Sequence, residues 1–292
     1  MYTTQKSQLP ELTTSLVSDK SYHIPIKPSL LRVACFLALL VIPLFQVSAQ
    51  TGTTNRPTLP NSRQILSAID ALVTYTNDFS AEYTITQERP GQGTNVTRAA
   101  MFRRDREDKF VILITEPAVD RGKGYLKIGN NLWLYDPVAR RFTVTSARDR
   151  FQNSNARNTD FTRSNLANDF RIVGETQERL GAFNTRVFDL EATNDTVTFP
   201  RMRIWVDENN LIRKQEDFSL SGQLMRTIAI PTYQRLGQHF VPVNIVIVDA
   251  LAGRNINGQF RNERTIISVE RPSFAAIPDM VFTQAYLERV SQ

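Results

Sequence analysis

The sequence predicts a mainly β fold, with one domain built on an antiparallel sheet of about eleven strands. Three observations predict it. Strand-like runs of alternating apolar and polar residues follow one another from Phe79 to Glu270. Turn residues such as Asn, Asp and Gly separate most of these runs after only a few positions, and such short connections make neighbouring strands antiparallel. The 292 residues are 41% hydrophobic and 22% charged, which is an ordinary globular composition.

The N-terminal region has the layout of a cleavable signal peptide. Lys27 and Arg32 precede the apolar run Val33–Phe45, and small residues follow it up to Ala49. A membrane-spanning helix needs roughly 20 apolar residues, and this run is shorter. We therefore predict that residues 1–49 are a leader and signal peptide, cleaved between Ala49 and Gln50, and that the product is exported to the periplasm. Retention of the segment as an anchor is the alternative.

A linker and one helix are predicted ahead of the sheet. Residues 50–60 are rich in Thr, Gly, Pro and Asn and indicate a linker, so the single folded domain is expected over 61–292. A helix is predicted from Ser62, its N-cap, to about Asn77, because apolar residues recur at three- and four-residue spacing. We expect it to pack across the concave side of the sheet. A last short helix is predicted within Met280–Val290.

The strand-like runs follow the helix in sequence. They are Phe79–Glu88, Val96–Arg104, Lys109–Thr115, Gly124–Ile128, Leu132–Tyr135, Arg141–Thr145, Phe170–Gln177, Phe183–Ala192, Arg201–Val206, Leu211–Ser219, Gly222–Ile230, Val243–Val248 and Phe260–Glu270. The connections include Gly129-Asn130-Asn131, where Gly and Asn tolerate a positive φ.

One long polar stretch, Ser146–Asp169, interrupts the strand pattern. A structureless loop of more than about 12–15 residues inside a domain is usually functional or disordered. This stretch is rich in Asn and Arg but also contains Phe151, Phe161 and Leu166, which a free linker would not need. We predict a flap that closes over a cavity mouth, with Arg148, Arg150, Arg157 and Arg163 at its rim, near anionic headgroups or an acidic partner. A mobile insertion is the alternative.

The composition disfavours most catalytic and metal chemistry. The chain has one Cys, Cys35, and two His, of which His23 lies in the leader. His239 is expected to be a surface or edge histidine, and the sequence lacks Walker-A, G-x-S-x-G, G-x-G-x-x-G and H-E-x-x-H patterns. We therefore predict no catalytic residues, no metal and no cofactor. Nucleic-acid binding is also not expected, because the arginines are interleaved with acidic residues. A pair of carboxylates acting as a glycosidase stays open.

The stretch Arg121–Asp169 is the most distinctive part of the sequence. Trp133, Tyr135 and Pro137 stand in an N-x-L-W-x-Y-x-P box, and Gly124 precedes it. This pattern resembles the LolA-like family of outer membrane lipoprotein-sorting proteins.

Further residues extend this resemblance. Asp160 and Phe161 match the D-F pair of the family, and Ile277–Phe282 matches its I-P-D-x-x-F ending. Asn165 departs from the pattern, because the family has an acidic residue there, so the resemblance implies no charge-dependent role for this position.

The resemblance implies an open, strongly curved antiparallel sheet, similar to an unclosed barrel, with helices covering its mouth, as in LolA and LolB. Between sheet and helices it implies an apolar cavity for acyl chains. A wide curved sheet cannot fill its inner face with its own side chains, which agrees with such a cavity. The candidate lining residues are Tyr125, Trp133, Tyr135, Phe142 and Trp205. Plain core packing is the alternative for each.

The resemblance also implies a function. The first expectation is a non-enzymatic, monomeric periplasmic carrier that shields the acyl chains of a lipoprotein or lipid and delivers it toward the outer membrane. An inner-membrane transporter and an outer-membrane acceptor are its candidate partners. The alternative is a periplasmic sensor or regulator of envelope signalling that binds a membrane protein or lipid with the same fold. An exported hydrolase is disfavoured by the single remaining histidine.

Overall fold

The computed structural model of the protein describes residues 58–291. The predicted signal peptide, its cleavage position between Ala49 and Gln50, and most of the predicted linker lie outside the described residues. Within the described range, no helix has both the length and the apolar character needed to cross a bilayer.

The described residues are mainly β, and thirteen strands in this range form a single antiparallel sheet that has two free edges and is not closed. The strands are β1 (Phe79–Arg89), β2 (Gly93–Arg104), β3 (Lys109–Glu116), β4 (Gly124–Ile128), β5 (Asn131–Asp136), β6 (Arg141–Val144), β7 (Phe170–Leu180), β8 (Phe183–Ala192), β9 (Arg201–Val206), β10 (Ile212–Phe218), β11 (Leu224–Leu236), β12 (His239–Ile256) and β13 (Gln259–Ser273). The mainly β class and the open antiparallel sheet predicted from the sequence are confirmed.

The strand order shows how the chain builds the sheet. The order is β6-β5-β4-β3-β2-β1-β13-β12-β11-β10-β9-β8-β7, so two meanders, β1 to β6 and β7 to β13, lie side by side. They are joined at the middle by the pairing of β1 with β13, in which Tyr83 is opposite Val269 and Ile85 is opposite Ile267. The two free edges are therefore β6 and β7, which follow one another in the chain.

Each predicted run is a separate strand, which gives thirteen strands rather than about eleven. The bounds of β4, β8 and β9 agree with the prediction at both ends. The largest difference is β12, predicted as Val243–Val248 but extending over His239–Ile256. Pro242 and Gly253 look like strand breakers in the sequence. In the structure both belong to β12, and the register of β12 shifts next to Gly253, which is the kind of irregularity where Gly is tolerated in a strand.

The first described helix, α1 (Ser62–Val73), begins where the sequence predicts but ends four residues earlier than Asn77. Asn61, with a φ of 64°, occupies the N-cap position instead of Ser62. The Ser62 hydroxyl accepts a hydrogen bond of 2.7 Å from the backbone N–H of Ile172 on β7. Leu66 and Ile69 are buried in a cluster with apolar residues of β7, β8 and β9. This contact places α1 over the β7 half of the sheet.

Residues 145–169 connect the two free edges of the sheet, and we call them the crossover segment. They include a short 3₁₀ helix, Asn158–Phe161, and a one-turn helix α2 (Leu166–Asp169). The backbone N–H of Asn155 donates to Gln87 on β1 and to Thr265 on β13, the two central strands. Near its end, the Leu166 and Ala167 N–H groups donate to Asp70 of α1. The segment therefore passes over the middle of the sheet.

The C-terminal residues cover the other face of the sheet. A 3₁₀ helix, Asp279–Phe282, is followed by the short helix α3 (Gln284–Val290), which lies within the predicted range Met280–Val290. Leu287 of α3 is fully buried, and a Cβ placed on Gly124 would lie 2.5 Å from its Cδ2 atom. Glycine at position 124 thus allows α3 to approach β4 closely.

The start of the C-terminal segment is fixed by a buried ion pair. Asp78 accepts two hydrogen bonds of 2.9 Å from Arg104 and one of 2.8 Å from the Ile277 N–H. Asp279 accepts another from Arg104, at 2.5 Å. The hydrogen bonds from Arg104 hold the pKa of Asp78 at about 2. The I-P-D part of the C-terminal motif therefore anchors this end of the chain to β2.

Candidate functional site

Alternate residues of the strands point to two different faces of the sheet. On β3, Phe110 and Ile112 pack in a cluster with the crossover segment, whereas Val111 packs in a cluster with α3. We call the first face the cavity face and the second the α3 face.

A cavity of about 370 Å³ lies between α1, the crossover segment and the cavity face, and we call it the α1 cavity. Its volume falls within the range of about 300–1,000 Å³ that is usual for ligand pockets. Most of its lining is apolar and includes Ile69, Val73, Phe161, Leu166, Val197, Phe199, Met202, Ile228, Ile230, Ile245, Ile247 and Ile267. Residues from both meanders and from both covering elements thus line one space.

One polar wall of the α1 cavity contains a satisfied ion pair. Arg103 donates to the two carboxylate oxygens of Asp105 at 3.0 and 2.8 Å, and Asp105 also accepts from the Tyr75 N–H at 2.9 Å. Tyr75 and Tyr83 line the cavity beside this pair, and burial raises the pKa of both phenols above the usual range. At neutral pH both tyrosines are uncharged donors.

A second ion-pair cluster connects the crossover segment to β10 and β11. Arg226 donates to both oxygens of Asp160 at 2.7 Å and to Asp217 at 2.6 Å. Asp217 is completely buried, and burial raises its pKa while Arg226 counteracts that rise. The Arg226 guanidinium also lies 4.7 Å from the centre of the Phe199 ring. This cluster fixes Asp160, and with it the neighbouring Phe161, against the sheet.

A sequence model of a family described as an uncharacterized protein matches residues 106–289 of this chain, which is more than half of its length. The chain belongs to this family. A comparison with curated proteins gives no match.

Comparison with solved structures shows the fold of this chain. A LolA superfamily protein from Nitrosomonas europaea superposes with a TM-score of 0.64 and 23% identity, over 77% of this chain and 98% of that one. A domain from Vibrio parahaemolyticus described as a putative outer membrane lipoprotein-sorting protein superposes with a TM-score of 0.68 and 16% identity, over 78% of this chain and 99% of that one. A DUF1329 family protein from Desulfovibrio piger superposes with a TM-score of 0.68 and 14% identity, over 77% of this chain and 97% of that one. At these identities the likeness concerns the fold alone, and that fold is LolA-like.

Tyr125 is the one sequence-predicted lining residue that the LolA-like sheet places on the cavity face. It packs against Phe151 of the crossover segment, with ring centres 4.7 Å apart, and its hydroxyl accepts from Gln152. Burial raises the pKa of Tyr125 to about 12. Its side chain lies in the core beside the crossover segment and does not line the α1 cavity.

The other predicted lining residues of the first meander lie on the α3 face. Trp133, Tyr135 and Phe142 belong to the cluster that contains Leu287 of α3. On β5, Trp133 and Tyr135 alternate with Leu132 and Leu134, which pack on the cavity side, and Phe142 on β6 is opposite Tyr135. None of the three lines the α1 cavity.

Trp205 of the second meander also points away from the α1 cavity. Its neighbours on β9, Ile204 and Val206, pack in the cluster under α1. The Trp205 indole instead donates to Glu178 at 2.8 Å and lies 4.3 Å from the ammonium of Lys214. The structure therefore separates Trp205 from the aromatic residues of β4 to β6.

The predicted flap residues divide between the core, the α1 cavity and the outer side. Phe151 is fully buried, while Phe161 and Leu166 are buried and line the α1 cavity. Arg148 donates to the backbone oxygen of Asp195, and Arg150 pairs with Asp249 at 2.8 Å. The packing of the two Phe side chains favours a segment that belongs to the core, and the lid role stays a prediction.

The sequence analysis did not predict the aliphatic residues of β11, β12 and β13 that line the α1 cavity. Ile228, Ile245 and Ile267 alternate with apolar residues such as Ala229, Val246 and Ile266, which pack on the opposite face. Because both faces of these strands carry apolar residues, the sequence contains no signal for the face with the cavity. His239 differs from its expected surface position, since it is buried beside Tyr75 and Phe274 and does not line the cavity.

Proposed function

We propose that this chain is a monomeric periplasmic carrier that holds the acyl chains of a lipoprotein or lipid in the α1 cavity and delivers them toward the outer membrane. The observation that carries the proposal is the α1 cavity itself, which is about 370 Å³ in volume and has a mostly apolar lining with several aliphatic side chains of a LolA-like sheet. The description of the Vibrio domain as a lipoprotein-sorting protein supports the cargo class.

Shielding is a sufficient mechanism for such a carrier. Each CH₂ group removed from water contributes about 0.8 kcal/mol, so a chain of ten such groups gains roughly 8 kcal/mol when it is enclosed. The Ile228, Ile245 and Ile267 side chains provide an apolar floor, and Ile69 and Val73 of α1 provide the opposite wall. The covering residues Phe161 and Leu166 belong to the crossover segment.

The ion pairs beside the α1 cavity hold parts of the protein in position and are not arranged for catalysis. Arg103 is bonded to Asp105, and Arg226 is bonded to Asp160 and Asp217. These two arginines and three carboxylates are thus bonded to one another, whereas a general acid or base needs a proton-transfer path to a substrate. The carrier is therefore proposed without a catalytic step, cofactor or metal.

The proposed route has two membrane partners. An inner-membrane transporter would load the cargo and an outer-membrane acceptor would receive it. A regulator that binds a membrane protein through the same fold is the competing function, and it differs in what co-purifies with the chain. Native mass spectrometry of the protein isolated from the periplasm, followed by lipid extraction, separates the two. An acylated molecule in stoichiometric amount supports the carrier, whereas a lipid-free complex with a membrane protein contradicts it.

A matched pair of substitutions tests the place of binding. Ile230 lines the α1 cavity on β11, and Ile266 on β13 packs on the opposite face. Ile230→Trp fills part of the cavity, so we expect binding of a fluorescent long-chain fatty acid to weaken at least about tenfold. Ile266→Trp adds the same bulk to the same sheet and should leave the affinity unchanged. Equal affinities for the two variants, with both folded by thermal melting, contradict the proposed site.

A further inference from the structure

A second, smaller cavity of about 180 Å³ lies beside the α1 cavity. Phe199 and Arg226 line both spaces and form their common boundary. The remaining wall is basic, with Arg150 and Arg157 from the crossover segment and Asp249 as the carboxylate that lines it. We call it the arginine cavity.

Arg157 is the guanidinium of this cavity that no carboxylate engages. Among residues 58–291 it has no carboxylate oxygen within 4.0 Å, and its Nη1 donates one hydrogen bond to the backbone oxygen of Arg148 at 2.5 Å. Its guanidinium lies 5.5 Å from the centre of the Phe199 ring. Burial and the like charges of Arg226 and Arg150 lower the pKa of Arg157 from its ordinary value. An anion next to Arg157 would relieve this repulsion.

The nearby carboxylates are already bonded to other groups. Asp249 accepts from Arg150 at 2.8 Å and from the Leu251 and Ala252 N–H groups at 2.9 Å. Asp160 and Asp217 are held by Arg226. Arg150 and Arg226 therefore each have a carboxylate within hydrogen-bond distance, whereas Arg157 has none among residues 58–291.

Asn155 adds an unused donor to the same wall. Its side-chain oxygen accepts from Arg150 at 3.0 Å, and because a guanidinium only donates, this bond fixes the orientation of the amide. The other end of the amide, Nδ2, is buried and has no hydrogen-bond partner within residues 58–291. A buried polar group without a partner is rare in a folded protein and needs an explanation. The Asn155 side chain lines the arginine cavity, and its Nδ2 atom stays unpartnered.

We propose that the arginine cavity is an oxyanion-binding subsite in which Arg157 and Arg150 bind a phosphate or carboxylate group. The planar fork of a guanidinium matches both groups with paired, charge-assisted hydrogen bonds. Because the α1 cavity shares Phe199 and Arg226 with this subsite, the ligand class is an anionic amphiphile, with its chain in the α1 cavity and its head on Arg157. This assignment of the ligand rests on the proposed function, whereas the oxyanion subsite does not.

Isothermal titration calorimetry with three probes tests the proposal: decyl phosphate, decanol with the same chain, and inorganic phosphate alone. We expect wild-type protein to bind decyl phosphate about tenfold more tightly than decanol, since a charged hydrogen bond typically contributes that much. Arg157→Gln should remove this preference and leave decanol binding unchanged. Arg148→Gln is the control, because Arg148 lies in the same segment, carries the same charge and does not line the arginine cavity.

The outcomes separate this inference from the carrier function. Equal binding of decyl phosphate and decanol by wild type overturns the subsite and leaves the carrier intact, as does a preference that survives in Arg157→Gln. Binding of inorganic phosphate that depends on Arg157, without binding of either amphiphile, supports the subsite with a free anion as its ligand and contradicts the carrier. No binding of any probe overturns both. If Arg157→Gln melts early, Arg157→Lys keeps the charge without the fork and should show an intermediate preference.

Discussion

Arg226 on β11 and Asp160 in the crossover segment form a two-bonded ion pair, with both Nη–Oδ distances at 2.7 Å. The pair is mostly shielded from solvent and continues to the buried Asp217. Asp160 belongs to the Asp-Phe pair that carries part of the sequence resemblance to LolA-like proteins. The acidic residue of that motif therefore holds the crossover segment against the second meander.

Removing this charge should loosen the crossover segment. Asp160→Asn leaves Arg226 partly unpaired, and breaking a buried ion pair on one side costs about 3–5 kcal/mol. We expect urea denaturation to show a loss of about 3 kcal/mol and limited proteolysis to cut within residues 145–169. Asp195→Asn, at an exposed position nearby, should change stability by no more than about 0.5 kcal/mol. A variant as stable as wild type would contradict the role given to this ion pair.

Phe161 tests whether the crossover segment is core or lid. Its ring lies 4.6 Å from that of Phe151 and 6.0 Å from that of Tyr83, and it is 3% exposed. We expect Phe161→Ala to cost about 3–5 kcal/mol, as for other buried Phe residues. Phe260→Ala is the control, because Phe260 is 54% exposed on β13. A small loss in Phe161→Ala together with weaker binding of an acyl probe would instead support a mobile lid.

Gly124 and Leu287 should be energetically coupled. A Cβ at position 124 overlaps the fully buried Leu287 side chain, and overpacking of this kind typically costs about 1–3 kcal/mol. We therefore expect Gly124→Ala to destabilise the wild-type chain but to cost much less when Leu287 is also alanine. A double-mutant cycle by thermal or urea unfolding measures this coupling. Additive effects would show that α3 does not press on β4.

The Asp78 carboxylate predicts a specific acid dependence. Its pKa of about 2 in the folded state lies below the ordinary value of 3.8, so folding favours the ionised form. The stabilisation is fully present above about pH 4 and is lost as the pH falls from about 4 to about 2. We expect Asp78→Asn to be much less stable than wild type at neutral pH. The gap in unfolding free energy should narrow across this pH range, and a constant gap in urea titrations would contradict the assignment.

Local patterns in the sequence predict most of the strands but not their order. The alternation in Phe183–Ala192 and the turn after Ile128 are local signals, and they locate β8 and the β4–β5 hairpin correctly. The pairing of β1 with β13 joins Tyr83 to Val269, residues that no short-range pattern connects. Residues 145–169 depend on long-range contacts in the same way. Their polar composition indicates a flap, but in the structure the segment links the two edges of the sheet.

The cavity lining is harder to predict than the fold, because it depends on which of two alternating sets of strand residues faces the cavity and not on residue type. Trp133 and Tyr135 are aromatic and lie in the most distinctive motif, but they occupy positions of β5 that face α3. Leu134 between them packs on the cavity side. Because apolar residues occupy both faces of the strand, the sequence does not indicate which alternating set faces the α1 cavity. The positions of α1 and the crossover segment in the structure determine this.

The strand order also constrains when the protein can finish folding. The first strand of the sheet pairs with the last, so the β1 edge stays unpaired until nearly the whole chain is available. Long-range pairing of this kind slows folding and leaves strand edges open to aggregation in the meantime. A chain truncated before Gln259 lacks β13, the partner of β1, and should therefore leave this edge of β1 unpaired and open to aggregation.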